Sequence, residues 1–219
     1  MKSCVLLLVD DPETEPASSR LAAETSPETA VALRRAMVED MLDMLRWSES
    51  EVIVCRAPEF DEARCRAWLG DRPLWTQKGK DRSARRANAL RRALTIKDFD
   101  RALVLDADIP QLDDETVRRA LKGLEWNTCV LAPARGGFSL AGFDREGFLP
   151  DMFSHVPAEE PDALRRSLNV LEIYRRQPTL LDELAGVACL DDLRRLADNP
   201  PRHMTRSRAL ALFRRLADQ

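Results

Sequence analysis

The sequence predicts one folded α/β domain built around a buried, mostly parallel sheet, and three observations support this fold class. Short apolar runs such as 5–9 and 101–105 alternate along the chain with longer amphipathic segments. These runs are continuous, which is typical of strands that are covered on both faces in a parallel sheet. The chain has 219 residues, 44% hydrophobic and 32% charged, which fits a globular protein with a sizeable core.

The first half of the chain alternates strands and helices. The apolar run at 5–9 predicts a first strand, and the segment 11–20, rich in proline, acid and serine, predicts a loop after it. Ser26 and Pro27 supply an N-cap and a first-turn proline, so a long helix is predicted to begin there. The next predicted elements are a strand at 51–55, a helix at 61–69, an extended segment at 73–77 and an arginine-rich helix at 81–94.

The second half continues the alternation and ends in a separate helix. An apolar strand at 101–105 stops abruptly at Asp106, and a Pro-Pro pair interrupts the chain before a last amphipathic helix. We predict a main domain over 1–199 and a C-terminal helical segment over 200–219, which packs on its own domain or on a second copy in a homodimer. The other predicted elements are a helix from 112, a strand at 128–132, a glycine turn leading into a strand from 135, and helices at 162–176, 190–198 and 205–217.

Net charge and cysteine content indicate which classes of partner the protein can bind and in which compartment it functions. A net charge of −3 gives no overall basic field, so we expect no nucleic-acid partner, and any anion site must be local. The first apolar run is too short for a membrane span and meets two aspartates at once, which predicts a cytoplasmic protein without a membrane partner. Five cysteines without a Cys-x-x-Cys pair fit a reducing compartment, and we assign Cys4, Cys55 and Cys129 to the core.

The segment Asp106-Ala107-Asp108 is the strongest local signal for chemistry. Alternate residues at the end of a buried strand can bring two carboxylates to one place outside the sheet, where α/β folds bind ligands. Carboxylate oxygens suit Mg²⁺ or Mn²⁺, completed by water and by the phosphates of a nucleotide. A structural alternative stays open, in which Asp106 ends the strand and Asp108 caps a turn that Pro110 stiffens.

The arginines of the helix at 81–94 have two interpretations. Arg85, Arg86, Arg91 and Arg92 could face phosphate or RNA. A helix on a sheet must also present a polar face to solvent, and we expect these arginines to lie on such a solvated face.

Two stretches resemble a bacterial family of glycosyltransferase-A-like proteins. They are 106–112 and 132–143, the latter reading Ala-Pro-Ala-Arg-Gly-Gly-Phe-Ser-Leu-Ala-Gly-Phe. The family is known as arsenosugar-biosynthesis-type glycosyltransferases or nucleotide-diphospho-sugar transferases. Its two most specific marks are Gly-Ser-Asp-x-Pro and Pro-Ala-x-Asp-Gly-Gly-Tyr-Tyr-Leu-x-Gly. The long first helix, the tract at 75–79 and the segment 190–193 also fit in order, so the resemblance spans roughly residues 4–198.

The resemblance implies a Rossmann-like, three-layer α/β/α sandwich of the glycosyltransferase-A type with a mostly parallel central sheet. Such a domain holds a nucleoside diphosphate sugar or a nucleoside triphosphate, with an acceptor that the sequence does not identify. Asp108 is the implied Mg²⁺ or Mn²⁺ ligand and catalytic residue, and we add Asp106, where the family usually has glycine, as a second ligand. Arg20 matches the end of the family's phosphate-loop segment, and Gly136 and Gly137 permit close backbone approach to donor or acceptor.

The chain departs from this family at several carboxylates. Its first loop, 11–19, is acidic and has no glycine or lysine, so it should repel a pyrophosphate unless metal ions intervene. Arg135 replaces an aspartate of the family, and Gly186 and Ala188 replace two more. Two hypotheses follow: a metal-dependent glycosyl- or nucleotidyltransferase, or a catalytically weakened relative that binds a nucleotide or a protein partner without turnover.

Overall fold

The protein is described here from a computed structural model, which defines residues 1–14, 20–135, 137–154 and 162–217. The strands are β1 (Ser3–Val9), β2 (Glu51–Arg56), β3 (Leu74–Thr76), β4 (Arg101–Asp106), β5 (Cys129–Ala134), β6 (Gly137–Asp144) and β7 (Thr179–Leu180). They form one seven-stranded sheet in the order β3-β2-β1-β4-β6-β5-β7. All the predicted strands are present, and β7 is an additional short edge strand.

The sheet is mostly parallel, as predicted, with one reversed strand. Strand β1 pairs in parallel with β2 and β4 on either side. Strand β6 runs antiparallel between β4 and β5. A Cβ atom at Gly142 in β6 would lie 2.3 Å from the Leu103 side chain on β4, so only glycine fits this pairing. The carboxyl ends of β1, β2 and β4 therefore meet at the same edge of the sheet.

Helices cover both faces of the sheet and complete three layers. They are α1 (Arg20–Glu24), α2 (Pro27–Leu45), α3 (Glu62–Leu69), α4 (Arg82–Arg91), α5 (Asp114–Gly123), α6 (Asp151–Ser154), α7 (Ala163–Ile173), α8 (Leu190–Asp198) and α9 (Arg208–Ala217). Val5 and Leu7 of β1 pack under α2, α3 and α5, whereas Leu6 and Leu8 pack under α4, α6 and α7. Within the ranges given above, no helix is both long enough and apolar enough to cross a membrane.

The C-terminal helices pack on the start of the chain's long helix. Helix α9 buries Leu210 and Phe213 in an apolar cluster with residues of α1, α2 and α8. Asp40 on α2 caps α9, because it accepts hydrogen bonds from Ser207 Oγ at 2.6 Å and from the Ala209 N–H at 3.1 Å. The last helix thus packs on its own chain. The domain boundary after residue 199 and a homodimer stay predictions.

Some local features differ from the predicted elements. Arg20–Glu24 and Asp151–Ser154 are short helices that the sequence does not predict. Helix α4 ends at Arg91 in a π-helical turn, because Lys97 N–H donates to the Arg92 carbonyl at 2.9 Å across five residues. Helix α9 starts later than predicted, because Ser207 Oγ accepts from the Leu210 N–H at 3.1 Å and caps the helix there.

The cysteines lie in the core, as predicted for Cys4, Cys55 and Cys129. All five are free and buried. Burial raises the pKa of Cys55 to about 12, so its thiol stays protonated at neutral pH. Cys4, Cys55 and Cys129 therefore contribute to packing in the core.

Candidate functional site

Two cavities meet at the edge of the sheet where β1 and β4 end. The first has a volume of about 320 Å³ and the second of about 820 Å³. Both are lined by Arg82, Asp106, Asp108, Val187 and Ala188, which we call the shared wall. The two predicted aspartates therefore lie between the cavities, outside the carboxyl ends of the strands, where open α/β sheets bind ligands.

The first cavity is rich in arginine. Its charged lining residues are Arg20, Arg34, Arg82 and Arg85 together with Asp10, Asp106 and Asp108. The arginines come from α1, α2 and α4, so folding collects them from separate parts of the chain. Guanidinium groups bind phosphate oxygens through paired N–H donors, so the four arginines of the described lining suit a di- or triphosphate.

A buried amide links the strand ends to one of these arginines. Gln77 follows β3 and is 4% exposed, and its Nε2 donates to the carbonyls of Cys55 at 2.7 Å and Val9 at 3.4 Å. Its Oε1 accepts from Arg85 Nη1 at 3.5 Å, and the same nitrogen lies 3.5 Å from Asp10 Oδ1. Burial raises the pKa of Asp10, and the neighbouring guanidinium groups oppose that shift. Arg85 is therefore held in place by neighbours on both sides.

Asp106 pairs with a buried arginine. Arg86 on α4 is 3% exposed; its Nη2 donates to Asp106 Oδ2, and its Nε lies 3.4 Å from Oδ1. Arg82 Nη1 lies 3.6 Å from the same Oδ2. The Arg86 guanidinium also lies over the Phe138 ring, 4.9 Å from its centroid. The expectation of a solvated face is therefore wrong for Arg86, because the end of β4 supplies a carboxylate that pairs its charge.

Asp108 has a different environment two residues later. Its carbonyl accepts a hydrogen bond from the Val187 N–H at 2.8 Å, which brings the segment 186–188 against it. A Cβ atom at Gly186 would lie 3.3 Å from Asp108 Oδ2. Burial, followed by the negative charge of Asp106, raises the pKa of Asp108 to about 6. This carboxyl group can therefore exchange a proton near neutral pH.

Two acids of the first loop, Asp11 and Glu13, are paired with arginines. Asp11 is 1% exposed, and its Oδ2 lies 3.0 Å from Arg64 Nη1. Glu13 contacts Arg64 Nη2 at 2.5 Å and Arg35 Nη2 at 2.8 Å. The predicted repulsion of a pyrophosphate by this loop is weakened, because these two acids already have cationic partners. Glu15 lies outside the described residues.

The other predicted site residues divide between the two cavities. Arg20 is the first residue of α1 and lines the first cavity, where its Nε pairs with Glu24 Oε1 at 2.9 Å. Gly137 is the first residue of β6 and lines the second cavity. Gly136 lies outside the residues that the structure describes.

Several site residues were not assigned from the sequence. Arg82, Arg85 and Arg86 recur at helical spacing, which places them on one side of α4, and the strand that ends in Asp106 follows that helix. This pattern could have indicated them. Gln77 lies in the tract that resembles the family, whereas Arg34 has no distinguishing signal in the sequence.

The carboxylates alone do not form a complete metal site. Among the described residues, no group of three or more His, Cys, Asp or Glu side chains is arranged to hold a metal ion. Gly186 and Ala188 instead accompany Asp108 in the lining of the second cavity. Mg²⁺ usually binds through one or two carboxylates with water and substrate phosphates. The residues present therefore fit a divalent ion whose other ligands come from a phosphate group and water.

Comparison with known proteins gives the family. The sequence profile of DUF2064, described as "Uncharacterized protein conserved in bacteria", matches residues 37–159, more than half of the chain. This chain belongs to the DUF2064 family. The matched region contains Arg82, Arg85 and Arg86 as well as Asp106 and Asp108. No curated protein sequence matches the chain.

Solved structures share the fold of this DUF2064 protein. A protein from Desulfovibrio desulfuricans G20, described as a proposed nucleotide-diphospho-sugar transferase, is 28% identical with a TM-score of 0.92, covering 100% of this chain and 96% of that one. Rv0371c of Mycobacterium tuberculosis H37Rv in complex with manganese is 15% identical, with a TM-score of 0.56 over 91% of this chain and 100% of that one. CMP:2-keto-3-deoxy-manno-octonic acid synthetase complexed with CTP is 13% identical, with a TM-score of 0.54 over 90% and 97%. The chain thus has the nucleotide-diphospho-sugar-transferase fold that the resemblance implies.

Proposed function

We propose that this DUF2064 protein is a transferase that binds a nucleoside diphosphate sugar or a nucleoside triphosphate in the first cavity and transfers its glycosyl or nucleotidyl group. The observation that carries this proposal is the meeting of four arginines with Asp106 and Asp108 at the carboxyl ends of β1 and β4. The cavity has about 320 Å³, within the range of roughly 300–1,000 Å³ that is usual for small-molecule sites. The assignment given to the Desulfovibrio desulfuricans protein supports the same class.

The arginines of the first cavity are the proposed phosphate ligands. Arg82 and Arg85 lie one helical turn apart at the start of α4, and Arg20 and Arg34 approach from α1 and α2. Arg82 lies 3.8 Å and Arg85 3.5 Å from Asp10, so both are oriented before a ligand binds. Such preorganisation reduces the ordering cost of binding.

Asp108 is the proposed main ligand of a Mg²⁺ or Mn²⁺ ion, together with the phosphates of the substrate. When bound, the ion neutralises the charge that develops on the leaving diphosphate. Asp106 remains a candidate second ligand, although its carboxylate already contacts Arg86 and Arg82. Asp106 could bind the ion only if Arg82 moved away or if Arg82 and the ion shared one oxygen of the carboxylate.

Asp108 is also the residue that we propose for catalysis. It lies in the shared wall and therefore borders both the first cavity, where the nucleotide is proposed to bind, and the second cavity. As the ligand of the ion, its carboxylate would hold the metal charge between the two cavities. Ion binding needs the deprotonated form, and the pKa of Asp108 in the metal-free protein is raised to about 6, so metal affinity, and activity with it, should fall as the pH drops through about 6. Gly137 at the start of β6 allows the ligand to approach the backbone.

Binding of a nucleotide or a protein partner without turnover is the second candidate function. The observation that favours it is the presence of Gly186 and Ala188 beside Asp108, where the resembling family supplies acids. A module of this kind needs no divalent ion. Its binding should be indifferent both to metal and to the Asp108→Asn substitution.

A thermal-shift panel of nucleoside diphosphates, triphosphates and nucleotide sugars, with and without Mn²⁺ or Mg²⁺, tests the proposal. A nucleotide at about 100 times its Kd stabilises the folded state by roughly 2.7 kcal/mol, which raises Tm by about 5–10 °C. We expect a metal-dependent shift that Asp108→Asn and Arg85→Gln both reduce. Arg91→Gln is the matched control, because Arg91 is an exposed arginine of the same helix that does not line the first cavity.

The possible results separate the two candidate functions. A nucleotide shift that is independent of metal and unchanged in Asp108→Asn would favour binding without turnover. The absence of a thermal shift with every ligand of the panel would contradict nucleotide binding and favour a protein partner. An equal loss in Arg85→Gln and Arg91→Gln would show a general charge effect.

A further inference from the structure

The second cavity is lined by residues that carry buried polar atoms without partners. Among the described residues, Arg86 Nη1, Ser139 Oγ and Gln111 Oε1 are such atoms, and all three residues line this cavity. Arg86 and Ser139 are 3% and 4% exposed. A buried polar atom without a hydrogen bond is unfavourable. Three of the nine such atoms among the described residues belong to residues that line this one cavity, which is consistent with a ligand that supplies the missing partners.

We propose that the second cavity binds an uncharged polyhydroxylated ring and that Arg86, Ser139 and Gln111 form hydrogen bonds with its hydroxyl groups. The proposal rests on the proposed function in one respect, since it places this ring across the shared wall from the nucleotide phosphates. Beyond the proposed function, it gives the chemical class of the group that binds in the second cavity and the residues that recognise this group.

The charges around the second cavity favour an uncharged ligand. Among the described residues, its charged lining residues are Arg82, Arg86, Arg135 and Arg195 together with Asp106, Asp108, Glu183 and Asp192, four of each sign. Arg86 pairs with Asp106, and Arg195 pairs with Asp192. The described lining of the first cavity differs, because it holds four arginines and three aspartates. Phosphates therefore fit the first cavity, and a neutral group fits the second.

Hydroxyl groups match the three unpaired atoms by type. Arg86 Nη1 can only donate a hydrogen bond, Gln111 Oε1 can only accept one, and Ser139 Oγ can do both. Each hydroxyl group both donates and accepts, so the hydroxyl groups of a ring can pair with a donor, an acceptor or a group that is both. Phe138 and Leu196 in the same lining provide apolar surface for the C–H groups of such a ring.

Two sources can supply the ring. One is the sugar of a nucleotide donor that reaches across the shared wall, and the other is a separate polyhydroxylated acceptor. The chemistry of recognition is the same for both, so the experiment has to separate them.

Isothermal titration calorimetry can test the proposal with the full chain. The ligands are UDP and UDP-glucose, and GDP and GDP-mannose, each with Mn²⁺, followed by free glucose, myo-inositol and glucose 6-phosphate alone. Ser139→Ala removes the hydroxyl group, and Gln111→Met removes the amide oxygen and nitrogen, both with little change in size. Ser167→Ala is the matched control, because Ser167 Oγ is also buried without a partner but lies on α7, outside the lining of either cavity.

We expect Ser139→Ala and Gln111→Met to weaken binding of the ring about 3–10-fold, the usual effect of losing one hydrogen bond, with no change in Ser167→Ala. If the ring belongs to the donor, the loss appears for UDP-glucose or GDP-mannose but not for the matching diphosphate. If the ring is a separate acceptor, the loss appears for glucose or myo-inositol, while the affinity for nucleotide sugars is unchanged.

Two results would overturn the proposal. One is equal affinity of the wild type and both variants for every sugar ligand, or no sugar binding at all, which would leave water as the partner of the three atoms. The other is tighter binding of glucose 6-phosphate than of glucose, which would contradict a neutral ligand. If the proposed function is wrong, the pattern is different, because no nucleotide binds. The titrations with free sugars still test whether the second cavity binds a polyhydroxylated ring.

Discussion

Asp106 and Asp108 belong to one short segment, yet the fold gives them different chemistry. Asp106 meets the guanidinium of Arg86 and forms a buried ion pair. Asp108 meets Gly186 and the Val187 N–H, and burial raises its pKa to about 6. The difference arises from the element that faces each carboxyl group, α4 for the first and the segment 186–188 for the second. Two acids that are separated by a single residue therefore have different surroundings, and the proposed catalytic role falls to Asp108.

The Arg86→Leu substitution breaks the ion pair of Asp106 and should change stability more than any other substitution in this segment. It leaves the Asp106 carboxylate buried with only Arg82 nearby, at 3.6 Å. Losing one partner of a buried pair costs roughly 3–5 kcal/mol, and we expect the lower end, about 3 kcal/mol or roughly 6–12 °C in Tm. Urea unfolding measures the loss. The double variant Arg86→Leu with Asp106→Leu should recover much of it, and a double variant as unstable as the single one would contradict the ion-pair explanation.

The Asp108→Asn substitution tests the second carboxyl group through pH. The pKa of Asp108 rises from 3.8 to about 6 on folding, so the folded state holds the proton more tightly than the unfolded chain does. The contribution of Asp108 to the stability of the wild type therefore falls as the pH rises from about 4 to about 6. Asparagine has no charge to bury, so the variant should match the wild type near pH 3.5 and exceed it above pH 6 by roughly 1–3 kcal/mol. Thermal unfolding across this pH range measures the difference, and a variant less stable than the wild type at pH 8 would be inconsistent with a raised pKa.

The Ala188→Asp substitution places another carboxylate beside Asp108 and should have a smaller effect, an increase in metal affinity. Ala188 is exposed in the shared wall. We expect Mn²⁺ affinity to rise about tenfold, or roughly 1.4 kcal/mol, because added ligand charge strengthens binding of a hard cation. Electron paramagnetic resonance of free Mn²⁺ measures it. Ala185→Asp is the control, since Ala185 lines the second cavity but not the shared wall; equal gains in both variants would argue against a specific position beside Asp108.

Much of the fold could be predicted because its elements depend on local signals. Ser26 accepts the Thr29 N–H at 3.2 Å and starts α2 where the capping pattern places it. The continuous apolar runs correctly predict a buried, mostly parallel sheet. Strand β6 runs antiparallel between two non-consecutive neighbours, β4 and β5, and the edge strand β7 has only two residues. Neither feature leaves a periodic pattern in the sequence.

The candidate site could be predicted only in part, because its charges pair over long separations. Asp106 and Asp108 follow from their position after an apolar strand. The partner of Asp106, however, is 20 residues away on α4, and Arg64 reaches Asp11 across 53 residues. Helical periodicity separates a polar from an apolar face, but it does not reveal which polar side chains meet a buried partner. The family resemblance supplied the segment 186–188, which the fold places against Asp108.

The shared wall makes the two cavities interdependent. Arg82, Asp106, Asp108, Val187 and Ala188 border both, so a ligand that shifts or charges these residues from one side alters the binding free energy on the other. Thermodynamic linkage makes this effect reciprocal: the factor by which a first ligand changes the affinity for a second equals the factor in the opposite direction. The sign of this cooperativity depends on the charge that each ligand brings to Asp108. An anion alone opposes its deprotonation, and a cation favours it.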